Sequence, residues 1–284
     1  MGKYRERFIV EPGSKVCLKD RDASEHGGQA SHEQATAELS DALAHIDDLQ
    51  YRLYAERRQA LLIVFQGLDA AGKDGTIRHV MSGVDPQGCK TAAFRQPTDE
   101  ELRHDFLWRV HPHVPGRGEI AIFNRSHYED VLVVRVHGLV PKKVWKPRYE
   151  LINDFERTLN VENQTTIVKF FLHVSKSEQL SRFLRRLDDP KRNWKVSEAD
   201  YREREYWDAY VEAYEDVLRK TSTEGAPWFV IPADHKWFCR LAVSQIVRET
   251  LEDMDIRMPQ PTADLSEIRR KYHSEIVGHE EEAR

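Results

Sequence analysis

The stretch Gly67-Leu68-Asp69-Ala70-Ala71-Gly72-Lys73 satisfies G-x-x-x-x-G-K and directly follows the unbroken apolar run Leu61-Leu62-Ile63-Val64-Phe65. A β-rich run without polar breaks suits a strand buried on both faces of a parallel sheet. Glycines after such a strand let the backbone turn tightly, so that successive N–H groups aim at phosphate oxygens. The first turn of a following helix adds its unpaired N–H groups and positive dipole end. Gly67, Ala70, Ala71, Gly72, Asp74 and Gly75 are expected to form this cradle, and Lys73 to reach bridging and terminal oxygens as a point charge. The alternative for the same string is a strand–helix turn with no ligand. In ordinary loops of this kind a Ser or Thr after the lysine binds magnesium; here Asp74 stands there and Thr76 comes two residues later. Metal binding must then be arranged differently. Asp69 is a candidate ligand or base, because a carboxylate among phosphate-binding N–H groups is repelled unless a cation accompanies it.

Similar apolar runs recur at Ile120–Phe123, Thr166–Leu172 and Trp228–Ile231, with a weaker one at Thr91–Phe94. The segments between them are long and amphipathic enough for helices, and strands alternating with helices imply a parallel sheet with right-handed crossovers. Ser175 followed by Glu178 is a capping-box start directly after a strand. Further helices are expected over Ser197–Lys220 and from Asp234 to near Met254. Ahead of the first strand, Leu39, Leu43, Ile46, Leu49 and Leu53 recur at helical steps between Ser31 and Arg58, as a helix packed on the main domain or at a subunit contact requires. Residues up to about 30 read as a polar lead-in, and those after Pro259 as a peripheral tail. The organisation expected is an extension over 1–58, a core over 59–258 and a tail over 259–284.

Charge decides what kind of anion site is available. The net charge is −5, so the whole molecule does not attract a polyanion, and any anionic substrate must be held by a local gathering of Lys and Arg. The same balance argues against a general nucleic-acid binder. No apolar stretch approaches the roughly 18 residues a membrane span needs, and the first residues lack the apolar core of a secretory signal. Cys17, Cys89 and Cys239 form no CxxC pair, which fits a reducing cytoplasm.

The strand Ile120–Phe123 runs into Asn124-Arg125-Ser126-His127-Tyr128-Glu129-Asp130. Asn124 occupies the place where many such enzymes carry a metal-holding Asp. Glu129 and Asp130 follow, flanked by Arg125 and Arg135, an arrangement that suits magnesium with phosphate, or alternatively a structural salt-bridge network. Farther on, Arg182, Arg185, Arg186, Lys191, Arg192 and Lys195 lie close together, with Arg182 and Arg186 one helical turn apart. The Asp189-Pro190 step should end that helix, leaving a basic loop that reads as a lid over about 182–200 or as a solvated charged face. Lys142, Lys143, Lys146 and Arg148 form a second basic group at a helix start, against the helix dipole. No HExxH spacing occurs among the histidines, and the tryptophans read first as core.

GLDAAGKDGTI, FRQPTDEELRHDFLWRVH, IFNRSHYEDVLVVRV and RLDDPKRNWKVSEAD, in that order, resemble the successive motifs of the type 2 polyphosphate kinases. The likeness spans about Tyr51 to Pro261. It implies a thymidylate-kinase-like P-loop core with a helical lid, a homodimer or homotetramer, magnesium (with manganese as a substitute), and transfer between inorganic polyphosphate and a nucleotide. By position, Asp69 matches the loop carboxylate, Lys73 the phosphate-binding lysine, Arg125 the arginine after the second strand and Glu129 an acid of the same motif. Arg182 and Arg186 match shared lid positions, and Lys195 falls within the shared motif. Many members carry Asp where this chain has Asn124, and the FNRSHYEDVLV form resembles the subgroup acting on both AMP and ADP. Guanine nucleotides are a further option. The expected mechanism has magnesium held by Asp69 and Glu129, and charge neutralised by Lys73, Arg125 and the lid. The competing readings are an ATP-dependent nucleoside or nucleotide monophosphate kinase, and a nucleotide-dependent switch, for which no N-K-x-D motif is present.

Overall fold

The computed structural model describes residues 2–27 and 32–273. Its elements in chain order are α1 (Lys3–Phe8), β1 (Ile9–Val10), α2 (His32–Glu56), β2 (Ala60–Gln66), α3 (Lys73–Val80), β3 (Cys89–Ala93), β4 (Ile120–Asn124), α4 (Val133–Val136), α5 (Lys142–Trp145), α6 (Arg148–Asn163), β5 (Thr165–His173), α7 (Lys176–Asp188), α8 (Glu198–Glu203), α9 (Trp207–Thr221), β6 (Trp228–Pro232), α10 (Lys236–Asp253) and α11 (Leu265–Tyr272). The sheet order is β1-β6-β5-β2-β4-β3. The last five of these strands run parallel, in register from Leu61 opposite both Ile120 and Thr166.

The central strands are buried along nearly their whole length because both faces are covered. Leu61, Ile63, Phe65, Ile122, Phe170 and Leu172 face a layer made by α1, α2, α3 and α10. Leu62, Val64, Phe123, Phe171 and Val230 face α6, α9 and the turn after β4. The alternation follows from the two-residue strand period. All apolar runs read as strands form strands, the weaker one included, with ends within about two residues of those expected. The fold is a P-loop kinase-like α/β sandwich with the phosphate loop at the carboxyl ends of its strands.

Three expectations are corrected. The lead-in is not structureless: Phe8 and Val10 are buried, and β1 pairs antiparallel with β6, so the sheet is mixed. The N–H groups of Tyr4 and Arg5 are taken by the Glu249 carboxylate on α10, a cap that residue order could not disclose. The helix expected over Ser197–Lys220 is broken at Arg204–Tyr206, where a short 3₁₀ turn separates α8 from α9. Finally, only half of the Ser175 capping box forms. Ser175 Oγ accepts from the Glu178 N–H, but the Ser175 N–H is satisfied by Asp234, while the Glu178 carboxylate turns to Arg182 and Arg185. Beyond Pro259, α11 has no buried residue.

Candidate active site

Between β2 and α3 the backbone takes positive φ at Gly67, Ala70 and Gly72. A Cβ on Gly67 would stand 2.9 Å from the Leu172 carbonyl oxygen, so glycine is required there both for conformation and for room. Gly72 caps α3 in the left-handed region, and its carbonyl accepts the Thr76 N–H as the helix begins. Lys73, 8% exposed, folds back over this loop and donates to the Gly67 carbonyl at 2.6 Å and the Leu68 carbonyl at 3.3 Å. Burial, reinforced by Arg125 nearby, brings its ammonium down to about 8 despite Asp69, Glu129 and Asp74.

Parallel pairing of β2 with β4 brings the second motif beside the first. Arg125 also has positive φ, 60°, and its N–H is held by the Phe65 carbonyl. A non-glycine residue in that region costs about 1–3 kcal/mol and persists only where surroundings over-determine it. Here they do: the guanidinium bridges Asp69 at 2.5 Å and Glu129 at 3.3 Å. Burial opposes its charge, but Glu129 and Asp69 outweigh that and hold Arg125 firmly protonated. Asn124, at the end of β4, donates to Asp74 at 2.7 Å.

The residues expected to form a lid divide. Arg182 is buried and its donors are spent on protein: Ala70 and Ala71 carbonyls at 2.8 Å each, Asp234 at 3.1 Å, the Ala233 carbonyl and the Glu178 carboxylate. It props the loop from outside rather than closing over it. Arg186 is partly exposed and lies 3.5 Å from Asp200. Lys195 reaches across to Asp74 at 3.4 Å. α7 ends at Asp188, ahead of the Asp189-Pro190 step, as expected.

Arg135 is not brought to the phosphate loop. It points at α9, pairing with Asp216 and Glu212 and lying over the Trp145 ring, because α4 turns that face away from the end of β4. The acid pair also separates. Asp130 is directed to Arg148 and Arg109, and burial lifts its carboxyl to about 6 against the pull of those arginines. Glu129 alone joins Asp69 at the cleft.

Sequence reading missed part of the lining. An open cleft is walled by Gly67, Leu68, Asp69, Arg125 and Glu129 on one side and Gln179, Glu203, Arg204, Trp207, Tyr210 and Tyr214 on the other. Trp207, Tyr210 and Tyr214 repeat at helical spacing, a pattern that reads as core until the partner face is known. Gln179 donates to the Asp69 carbonyl at 2.9 Å, fixing the loop's tip.

Residues 29–259 match the family described as Polyphosphate kinase 2. The chain belongs to the polyphosphate kinase 2 family. It is 50% identical to the AMP/ADP-polyphosphate phosphotransferase of Meiothermus ruber over 92% of this chain and 96% of that one. It is 47% identical to the ADP-polyphosphate phosphotransferase of Rhodopseudomonas palustris, over 90% and 93% respectively. The crystal structure of polyphosphate kinase 2 from Arthrobacter aurescens TC1 superposes with a TM-score of 0.91 at 42% identity, covering 95% of this chain and 96% of that one. Among the described residues of this polyphosphate kinase 2 member, no helix is long and apolar enough to cross a membrane.

Proposed function

We propose that this chain transfers phosphoryl groups between inorganic polyphosphate and AMP or ADP, forming ADP or ATP. The observation that carries the reading is the junction of Lys73, Arg125, Asp69 and Glu129 at the carboxyl ends of two adjacent strands, with lid cations opposite. Support for a long polyanion comes from the outer side of the loop, where Lys236 is held below its ordinary pKa by burial and by Arg182, Arg185 and Arg192. Four cations against the two acids Glu178 and Asp189 leave a local positive excess, which attracts a multiply charged anion.

Asp69 and Glu129 suit a magnesium ion. Each gives one carboxylate oxygen to Arg125, which leaves the other for the ion or its water, and the donor set is oxygen only. No group of three or more His, Cys, Asp or Glu side chains able to hold a metal occurs among the described residues. Magnesium ordinarily keeps several waters and takes its remaining ligands from phosphates. When bound, the ion would supply charge neutralisation between phosphates; manganese is the expected substitute. Lys73 and Arg125 hold the transferring group, and the loop N–H groups, braced by Gln179 and Arg182, fix its orientation. The acceptor's terminal phosphate oxygen is already anionic near neutrality, so positioning and charge stabilisation carry most of the acceleration. We place the enzyme in the cytoplasm, as a homodimer or homotetramer, its three cysteines being separate thiols.

The test supplies polyphosphate or ATP separately as donor, with AMP, ADP or GDP as acceptor, and separates products by chromatography. Polyphosphate-dependent ADP and ATP formation is expected. Product with ATP alone as donor would assign a nucleotide monophosphate kinase instead.

A further inference from the structure

We propose that Asp74 is a positioning residue that registers the lid over the phosphate cleft, with one carboxylate oxygen fixed by Asn124 and the other holding Lys195. Asp74 stands where a metal-binding hydroxyl would follow the lysine, yet both of its oxygens already have protein partners. Asn124 Nδ2 donates to Oδ1 at 2.7 Å, anchoring the carboxylate to the end of β4. Lys195 Nζ donates to Oδ2 at 3.4 Å. Burial opposes ionisation of Asp74, but the Asn124 amide and the Lys195 ammonium outweigh it and hold the carboxyl below its ordinary value.

Lys195 belongs to the turn between α7 and α8. Nearby, Arg186 pairs with Asp200 across from α7 to α8, and Arg192 pairs with Asp189 within the turn. Trp194 likewise donates to the Lys191 carbonyl and lies against the Lys195 ammonium. Among the described residues, the ion pair to Asp74 is therefore the one that ties positions 189–197 to the phosphate loop's own helix. A carboxylate clamped by the sheet on one side and open to a lysine on the other is a fixed post for a moving element. Asn124 gains a purpose on this account: as an amide it donates to Asp74, which a carboxylate at that position would repel.

The pair is partly exposed, 38% at Lys195 and 69% at Asp74, so it biases the lid by about two- to fivefold rather than locking it. The inference rests on the phosphoryl-transfer reading only for its purpose, which is to keep water from the transferring group. The contact itself is tested without substrate.

Hydrogen exchange is measured on the free full-length protein, following the amides of Arg192, Lys195 and Val196, which are bonded within the turn. Asp74→Asn retains an acceptor for Asn124 but loses the charge for Lys195; Lys195→Gln removes the other partner from the surface without touching the core. Each variant is expected to speed exchange at these amides two- to fivefold, with no change in α10. The double variant should be no faster than either single one. Exchange unchanged in both single variants, or additive in the double, overturns the proposal. So does an Asp74→Asn protein whose lid exchange is normal while its magnesium requirement rises, since Asp74 would then serve the metal. Because no polyphosphate is present, failure of the donor assignment leaves this result standing.

Discussion

A buried lysine that must be charged sets its own pH limit. Lys73 titrates near 8 in the free protein because burial and Arg125 disfavour its ammonium, and the phosphate grip needs that ammonium. The pH profile of kcat/KM, which reports the free enzyme, should be flat below about 8 and fall roughly tenfold per unit above it. Lys73→Arg keeps its charge at every accessible pH, so whatever activity that variant retains should lose the alkaline fall. Glycines in the same loop divide sharply. Gly67→Ala forces a Cβ against the Leu172 carbonyl at positive φ and should destabilise by about 1–3 kcal/mol. Gly75→Ala, in helical backbone with nothing nearer than the Arg240 guanidinium at 3.8 Å, should stabilise by up to about 1 kcal/mol; urea titration measures both. The loop and its lysine were legible in the sequence because one short string carries strand, turn and helix start together. What Arg182 does was not: its partners Ala233 and Asp234 lie about fifty positions away, and only the sheet brings them near.

Behind the β4 turn, elements are joined by a buried charged cluster. Lys169 on β5 donates to Glu156 on α6 at 2.6 Å, to the Tyr128 hydroxyl at 2.9 Å and to the Thr221 carbonyl at 2.7 Å, and all of these atoms are shielded from water. His127 and Tyr128 both reach the same Glu156 oxygen, so the turn carrying Arg125 and Glu129 is held from below. Lys169→Met leaves Glu156 buried without its cation and should cost about 3–5 kcal/mol in urea unfolding; adding Glu156→Gln should recover part of that. Sequence alone could not have located this cluster. A lysine within an apolar strand run reads as an edge or surface position until α6 and α9 are seen to close over it. The strands themselves were legible, since burial on both faces removes polar interruptions from all but such positions. Breaks within helical segments were less so: the change at Arg204–Tyr206 follows from Glu203 pairing with Tyr210 and His137, contacts set by tertiary packing.

At the scale of the molecule, the core does not depend on its last described helix. α11 buries none of its residues, so Leu265→Ala together with Ile268→Ala should shift stability by less than about 0.5 kcal/mol and leave catalytic rates unchanged, as thermal unfolding and the donor assay would record. The opposite holds for residues 3–10. Phe8 and Val10 are packed in the interior, β1 extends the sheet along β6, and Arg5 pairs with Asp253. A piece that joins partners more than two hundred positions later must wait during synthesis. On the ribosome, the segment emerges early and stays unpaired until β6 and α10 have been made, and closing so long a loop slows assembly. The sheet's β6 edge is thus sealed last by residues made more than two hundred positions before their partners, and a bulky segment placed immediately ahead of them would obstruct the final stitch rather than the catalytic machinery.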